Sequence, residues 1–355
     1  MTKKAPTIRD IAREIGMSEA TVSLALNGST AVKAETRERV QLAARTLGYI
    51  PNTNARRLVM KRSGVIGIVV PEIENIYYAV LVRELSERMA DAGYSLSIFI
   101  SSNDEEKEQR AISDMIAARV EGIVYVPVNS TSENEMSRRM IEQSGIPTVC
   151  ATTQIDGMSC VRCDLEGGMR ALMEHLLLQH PGRIAYFGGP EGVFTLDCRK
   201  REFLTAATAS GVDTELRILP AVDYRYAYEE AGALLGNLPD IIVCVNDFMA
   251  LGVVNRLIEH GISVPRDVAV TGFDDMIFAV ASPVPLTTVR QNLPLLAAKT
   301  TDLLLQMISA PDETNSIIRI PTELIIRKST YICHFNLHNL SAHKFILNTH
   351  LIVGR

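Results

Sequence analysis

Polar side chains interrupt apolar runs at a few places in this chain, and these are the positions where chemistry could be done. Asn246-Asp247 follow IIVCV, Asp274-Asp275 follow VAVTGF, Arg199 comes soon after a GGP loop, and Asp164 opens a helical stretch. An arginine with paired carboxylates suits a ligand rich in hydroxyls, because each hydroxyl both donates and accepts. Each residue also has a plainer use: Asp or Asn at a strand end commonly caps the next helix, and an arginine can be a surface charge. Covalent chemistry has no motif behind it. GGPEG at 188–192 lacks GxGxxG spacing, and there is no Walker lysine, GxSxG elbow or HExxH pair. The chain is therefore expected not to be an enzyme and to need no cofactor. Cys160 and Cys163 form a CxxC, but zinc would want a second pair and a redox motif would want its first cysteine at a helix start. With Cys150, Cys198, Cys244 and Cys333 they read as reduced core cysteines, and no metal site is expected.

A second constellation lies in Thr7–Asn27, TIRDIAREIGMSEATVSLALN. Thr7 with Asp10 three residues on can satisfy the free N–H groups of a first helix, whose apolar face is Ile8, Ile11, Ala12 and Ile15. Gly16 suits the positive φ that stops a helix and turns the chain. Ser18 then caps a second helix with Val22, Ala25 and Leu26 inward and Ala20, Ser23, Leu24 and Asn27 on the outer face. Two readings fit: an ordinary helical hairpin, or a helix-turn-helix whose outer face reads base edges.

Charge favours the second. Residues 1–62 hold twelve Lys and Arg against five Asp and Glu, a net +7, in a chain of net −5, which leaves −12 for residues 63–355. A small basic head on a large acidic body fits a phosphate-binding module joined to something that must stay off the duplex. At 355 residues the chain exceeds one ordinary domain. Its first residues reach an acid before any apolar run, and no stretch approaches the roughly 20 apolar residues of a membrane span, so a cytoplasmic location without membrane contact is expected. A third helix, ETRERVQLAARTLG, puts Val40, Ala43, Ala44 and Leu47 on one face and ends at Gly48. NARRLVMKRS, residues 54–63, follows as a segment too short to be a stable helix alone.

TIRDIA, TVSLALNG, ETRERV, LGYIPN and ARRL, in that order and spacing, resemble the headpiece of the lactose-repressor/galactose-repressor (LacI/GalR) family of bacterial transcriptional regulators. The resemblance implies a DNA-binding headpiece over residues 1–50 and a hinge over 51–62 that folds on the operator. Ala55 and Leu58 match the hinge positions that enter the central minor groove, Leu58 as the wedge, with Asn52 and Arg56 beside them; the unstacking this costs is offset by the extra surface a bent duplex contacts. Glu19, Ala20 and Leu24 occupy positions that vary with operator sequence, and they include no Arg, Gln or Asn for a bidentate base contact. Leu24 and Ala20 suit thymine methyl groups, and Glu19 either accepts from a cytosine amino group or favours the helix start. Thr21 and Ser23 are better placed for phosphate, together with Thr7, Ser18, Asn27 and Tyr49. Lys33 stands where the family often has a capping serine. One headpiece reads a half-site, so a homodimer on a near-palindromic operator is implied.

After residue 63 short apolar runs alternate with helical patterns. Strands are expected at Val65–Val70, Tyr94–Ile100, Gly122–Val128 and Pro147–Ala151, then at Arg183–Gly188, Arg217–Leu219, Ile241–Val245 and Val268–Gly272, starting about 25 to 32 residues apart as βα units do. Two sets of four units predict an all-α headpiece joined to an α/β core of two parallel-sheet lobes, the periplasmic-binding-protein-like architecture. The resemblance implies a core in which the chain crosses between the lobes three times, and so limits of 63–330 for the core, with one lobe at about 63–162 and 293–326, the other at about 163–292, and the last strands near Pro321–Ile326 returning to the first lobe. Residues 331–355 read as an atypical extension.

VNDFMALG, GFDD, LTTVRQ and the R-x-x-x-F of Arg199 to Phe203 match blocks of the same family. The resemblance assigns effector contacts to Arg199, Asn246 and Asp274, with Thr195 and Tyr78 nearby and Tyr224 as an aromatic plate. Thr152 stands where several sugar-responsive members have an acid. The implied function is a repressor whose operator affinity is set by a small effector in the cleft, a carbohydrate such as a sugar or sugar phosphate; a purine or nucleoside effector, or a sugar receptor without a DNA role, are the alternatives.

Overall fold

The computed structural model describes residues 6–26, 29–49, 63–128, 134–310 and 316–330. Asn27, Asn52, Ala55, Arg56, Leu58 and the 331–355 extension lie outside the described residues. The chain divides into two compact units at Ser63 and Gly64.

The first unit has three helices, α1 (Ile8–Ile15), α2 (Glu19–Leu26) and α3 (Ala34–Leu47). Asp10 accepts from the backbone N–H of Thr7 at 2.9 Å and from its hydroxyl at 2.7 Å, which closes the start of α1. Gly16 takes φ +67, so the chain turns within three residues into α2. Ser18 Oγ accepts from Thr21 N–H at 3.1 Å. Ile11, Val22, Ala25 and Val40 are fully buried between the helices, with Ala12, Ala43 and Ala44 nearly so. Lys33 precedes α3 and makes no side-chain cap.

The second unit holds two parallel sheets. The first is ordered β11-β5-β4-β3-β1-β2, from Val65–Val70 (β1), Ser95–Ile100 (β2), Gly122–Tyr125 (β3), Thr148–Ala151 (β4), Ser159–Cys163 (β5) and Ile317–Ile320 (β11). The second is β7-β6-β8-β9, from Arg183–Gly188 (β6), Asp213–Ile218 (β7), Ile241–Cys244 (β8) and Ala269–Thr271 (β9). Central strands are near-continuous apolar runs because helices cover both faces. Along β1, Ile66, Ile68 and Val70 enter one cluster while Val69 enters the other, with Ile123, Tyr125, Cys150 and Cys160.

Three features differ from expectation. No strand is expected at 159–163, yet SCVRC forms one, buried throughout beside β4, with Cys160 and Cys163 as free core cysteines in keeping with the sequence reading. The strand expected at Arg217–Leu219 begins earlier, at Asp213; its alternating exposure is that of a sheet edge. The strand that rejoins the first sheet is β11, whereas Thr322–Ile325 (β12) pairs antiparallel with Thr288–Gln291 (β10) as a separate two-stranded ribbon. The five described cysteines are free and buried, and no cluster of metal-binding side chains exists among the described residues.

Candidate functional site

The cleft lies at the carboxyl ends of the strands, where open parallel sheets leave helix N-termini and loop side chains around a space. Glu72 and Asn75 follow β1, Thr152 follows β4, Val245 and Asn246 follow β8, and Asp274 follows β9; Gln291 ends β10, and Thr195 and Arg199 come from helix Phe194–Ser210. Together with Tyr77 and Tyr78 they wall an inner chamber of about 70 Å³.

Arg199 is the centre of its hydrogen bonding. Its Nη2 donates to Asp274 Oδ1 at 3.2 Å, its Nη1 donates to the Val245 carbonyl, and the guanidinium lies 4.0 Å from the centroid of the Phe273 ring. Gln291 Nε2 donates to the same Asp274 oxygen at 2.7 Å and Gln291 Oε1 accepts from Tyr77 Oη at 3.1 Å. Burial pushes the Asp274 carboxyl above its usual range, against the pull of Arg199, and burial raises the Tyr77 phenol as well. Asp274 holds φ +104 and Thr152 holds φ +73, conformations that non-glycine residues take at some cost.

The predicted residues divide clearly. Tyr78, Thr152, Thr195, Arg199, Asn246 and Asp274 meet in the cleft. Asn246 also serves the plainer use, capping helix Asp247–Glu259 by accepting from Met249 N–H at 2.8 Å while its Nδ2 donates to the Val222 carbonyl at 3.2 Å. Tyr224 is not in the cleft: its ring packs on Tyr228 and Phe248 and its hydroxyl accepts from Asn255 at 3.0 Å. The paired carboxylates separate too. Asp275 turns to Arg290 and Arg327, Asp247 accepts from Thr288 Oγ1 and Met276 N–H beneath the surface, and Asp164 accepts from Gly167 N–H as a cap. Gln291 and Tyr77 were missed. Gln291 stood inside LTTVRQ, but only the β10 turn into the cleft brings it to Asp274. Arg162, 1% exposed on β5, was also unforeseen; it donates to Glu166 at 2.8 and 3.1 Å and stands over the ring of Phe194. Burial would raise the Glu166 carboxyl, but the Arg162 bonds and charge prevail and hold it down at about 2.

In the headpiece α2 presents Glu19, Ala20 and Leu24 to solvent, Leu24 being 47% exposed. Glu19 accepts from Arg9 Nε at 2.9 Å in an exposed ion pair. Ser18 Oγ lies 2.8 Å from Thr21 Oγ1, while Tyr49 is half-buried against the helix core.

A three-helix headpiece ahead of a two-lobed core with a polar cleft defines a DNA-binding regulator with a periplasmic-binding-protein-like sensor. Residues 7–52 match the bacterial regulatory proteins of the lacI family, and residues 173–330 match the periplasmic binding protein-like domain. Catabolite control protein A of Staphylococcus aureus is 30% identical over 274 residues, 76% of this chain and 82% of that protein; the Priestia megaterium protein of the same name is 29% identical over 91% of this chain and 99% of its own length. The Lac repressor dimer bound to operator and the anti-inducer ONPF superimposes with a TM-score of 0.83 at 25% identity, covering 93% of this chain and all of that one. The chain belongs to the LacI family, and it is a DNA-binding transcriptional regulator. Among the described residues no helix is long and apolar enough to cross a membrane.

Proposed function

We propose that this regulator is a cytoplasmic dimeric repressor whose hold on a near-palindromic operator is set by a carbohydrate in the cleft. The observation that carries the effector reading is the cluster of Arg199, Asp274, Gln291 and Asn246, a ring of fixed donors and acceptors converging on a space between two lobes. Hydroxyls complete such a ring on both sides of the exchange. The headpiece reading is supported by the match over residues 7–52 and by the solvent-facing Ala20 and Leu24. Leu58 would wedge the central step, and the hinge limits 51–62 are those the family motif implies. Dimerisation is supported by exposed apolar side chains in the core, Ile277 and Val280 at 57% each and Ile98 and Ile100 on edge strand β2, which a second copy would cover.

The test is operator binding by the full chain, measured on DNA from around its own coding region at several salt concentrations, with and without a sugar panel. The expected outcome is salt-dependent binding to a near-palindrome that one class of sugar shifts. A nucleoside shifting it while no sugar does would overturn the effector assignment, and core binding without any operator binding would favour a receptor.

A further inference from the structure

The cleft continues beyond Arg199. Past Tyr78, Thr152 and Thr195, which wall both spaces, it opens into an outer chamber of about 430 Å³. We propose that the effector is a neutral two-unit carbohydrate, a disaccharide or glycoside, with one unit seated where the chambers meet, at Tyr78, Thr152 and Thr195, sending its edge hydroxyls to Arg199, Asp274 and Gln291, and the second between Asn134 and Phe194. This rests on the carbohydrate reading above and adds its size and charge.

Size is the first argument. The inner chamber, at about 70 Å³, has room for only a few waters at about 30 Å³ each, so it takes the edge hydroxyls of a ring and not the ring itself. The outer one falls in the range, roughly 300–1,000 Å³, of pockets that enclose drug-sized ligands, and one sugar ring would leave much of it wet.

The outer chamber is also built for a ligand. Asn134 is 9% exposed and stands at φ +54 before helix Glu135–Ser144 without capping it. Its Nδ2 donates to the Val128 carbonyl at 3.4 Å, and its Oδ1 has no hydrogen-bond partner although it lies at the chamber wall. A buried acceptor left unpaired is costly, so this one is matched to a donor arriving from outside, as a sugar hydroxyl does. Phe194, held under the Arg162 guanidinium 5.3 Å from its ring centroid, gives a flat apolar plate for the C–H face of a ring.

Charge disfavours an anion. Among the described residues the two cations that line the chamber, Arg138 and Arg201, are matched by two lining carboxylates, Asp156 and Asp197, and Arg138 also stands 3.5 Å from Glu142. The N-terminus of helix Phe194–Ser210, where a phosphate would otherwise sit, carries Asp197, whose carboxylate already accepts from Gly192 N–H at 2.9 Å. A phosphate there would meet a carboxylate.

Titration calorimetry of the full chain with glucose, galactose, glucose 6-phosphate, cellobiose, maltose, lactose, melibiose and adenosine tests this. One disaccharide is expected to bind at least about tenfold tighter than its component monosaccharides, and glucose 6-phosphate no tighter than glucose. Asn134→Ala and Phe194→Leu should each weaken that disaccharide by about 5- to 20-fold and leave monosaccharide binding within about twofold; should Asn134→Ala not fold, Phe194→Leu carries the comparison. A monosaccharide or sugar phosphate matching every disaccharide, or variants that weaken both sizes equally, would overturn the two-unit assignment and keep the carbohydrate reading. Binding of adenosine alone, or of nothing in the panel, would overturn both.

Discussion

Arg199 and Asp274, 75 residues apart in the chain, meet at 3.2 Å in the second lobe with both side chains almost buried, at 8% and 13% exposure. Their protonation behaviour is unequal. A guanidinium does not give up its charge, whereas the Asp274 carboxyl is already pushed upward by burial and can take a proton.

The two single substitutions should therefore differ. Asp274→Ala strands a buried cation and is expected to cost about 3 kcal/mol, while Arg199→Met leaves a carboxyl able to neutralise itself and should cost distinctly less. Both should abolish the effector response and keep operator binding. Chemical denaturation and operator titration read the two effects, and equal stability losses would show that the pair is not the burdened unit described here.

Thr152 is a β-branched residue at φ +73 in the wall of the cleft. Holding it there costs on the order of 1–3 kcal/mol, so Thr152→Gly is expected to raise stability by about 1 kcal/mol after the extra unfolded-state freedom of glycine is set against the gain. It should also weaken effector binding, because it removes a wall side chain. A destabilised variant with unchanged effector affinity would count against stored strain at this position.

Glu108 is fully buried and accepts from Tyr125 Oη at 2.9 Å and Val128 N–H at 2.6 Å, yet burial still raises its carboxyl. With the folded value above the unfolded one, the native state holds the extra proton in the window between them. Stability then falls as pH rises through that window and levels off above it. Asp247 and Asp274, also raised by burial, act in the same direction. Urea midpoints measured from pH 5 to 8 should decline with rising pH, and Glu108→Gln should flatten that decline; an unchanged slope in the variant would remove Glu108 as a source.

On the DNA side, Leu24 is 47% exposed on α2, so Leu24→Ala should alter thermal stability by less than about 0.5 kcal/mol. Loss of a thymine-methyl contact should cost specific affinity about 1–3 kcal/mol and leave non-specific binding nearly unchanged. Leu58→Ala should show the same asymmetry. Equal losses on specific and random duplex in salt-matched titrations would place both residues away from the bases.

Much of this protein could be read from residue order alone, because the governing interactions are short-ranged. The helix periodicity, Thr7 with Asp10, and Gly16 specify the headpiece within a few residues of each position. Apolar runs such as VIGIVV and IIVC mark buried parallel strands, since a strand covered on both faces has no polar alternation to hide it. The edge strand Asp213–Ile218 and the buried SCVRC strand were harder: one mixes exposed and covered positions, and the other carries an arginine whose burial depends on Glu166, brought up by the following helix. The cleft needed the tertiary structure. Asn246, Asp247, Asp274 and Asp275 are alike as strand-end polar residues, and only the packing of helix Asp247–Glu259, the β10–β12 ribbon and Arg327 turns Asp247 and Asp275 inward while leaving Asn246 and Asp274 open. Gln291, Tyr77 and Asn134 follow the same logic. Their roles come from partners far away in the chain or, for the Asn134 carbonyl, from the lack of one, and no local pattern encodes either.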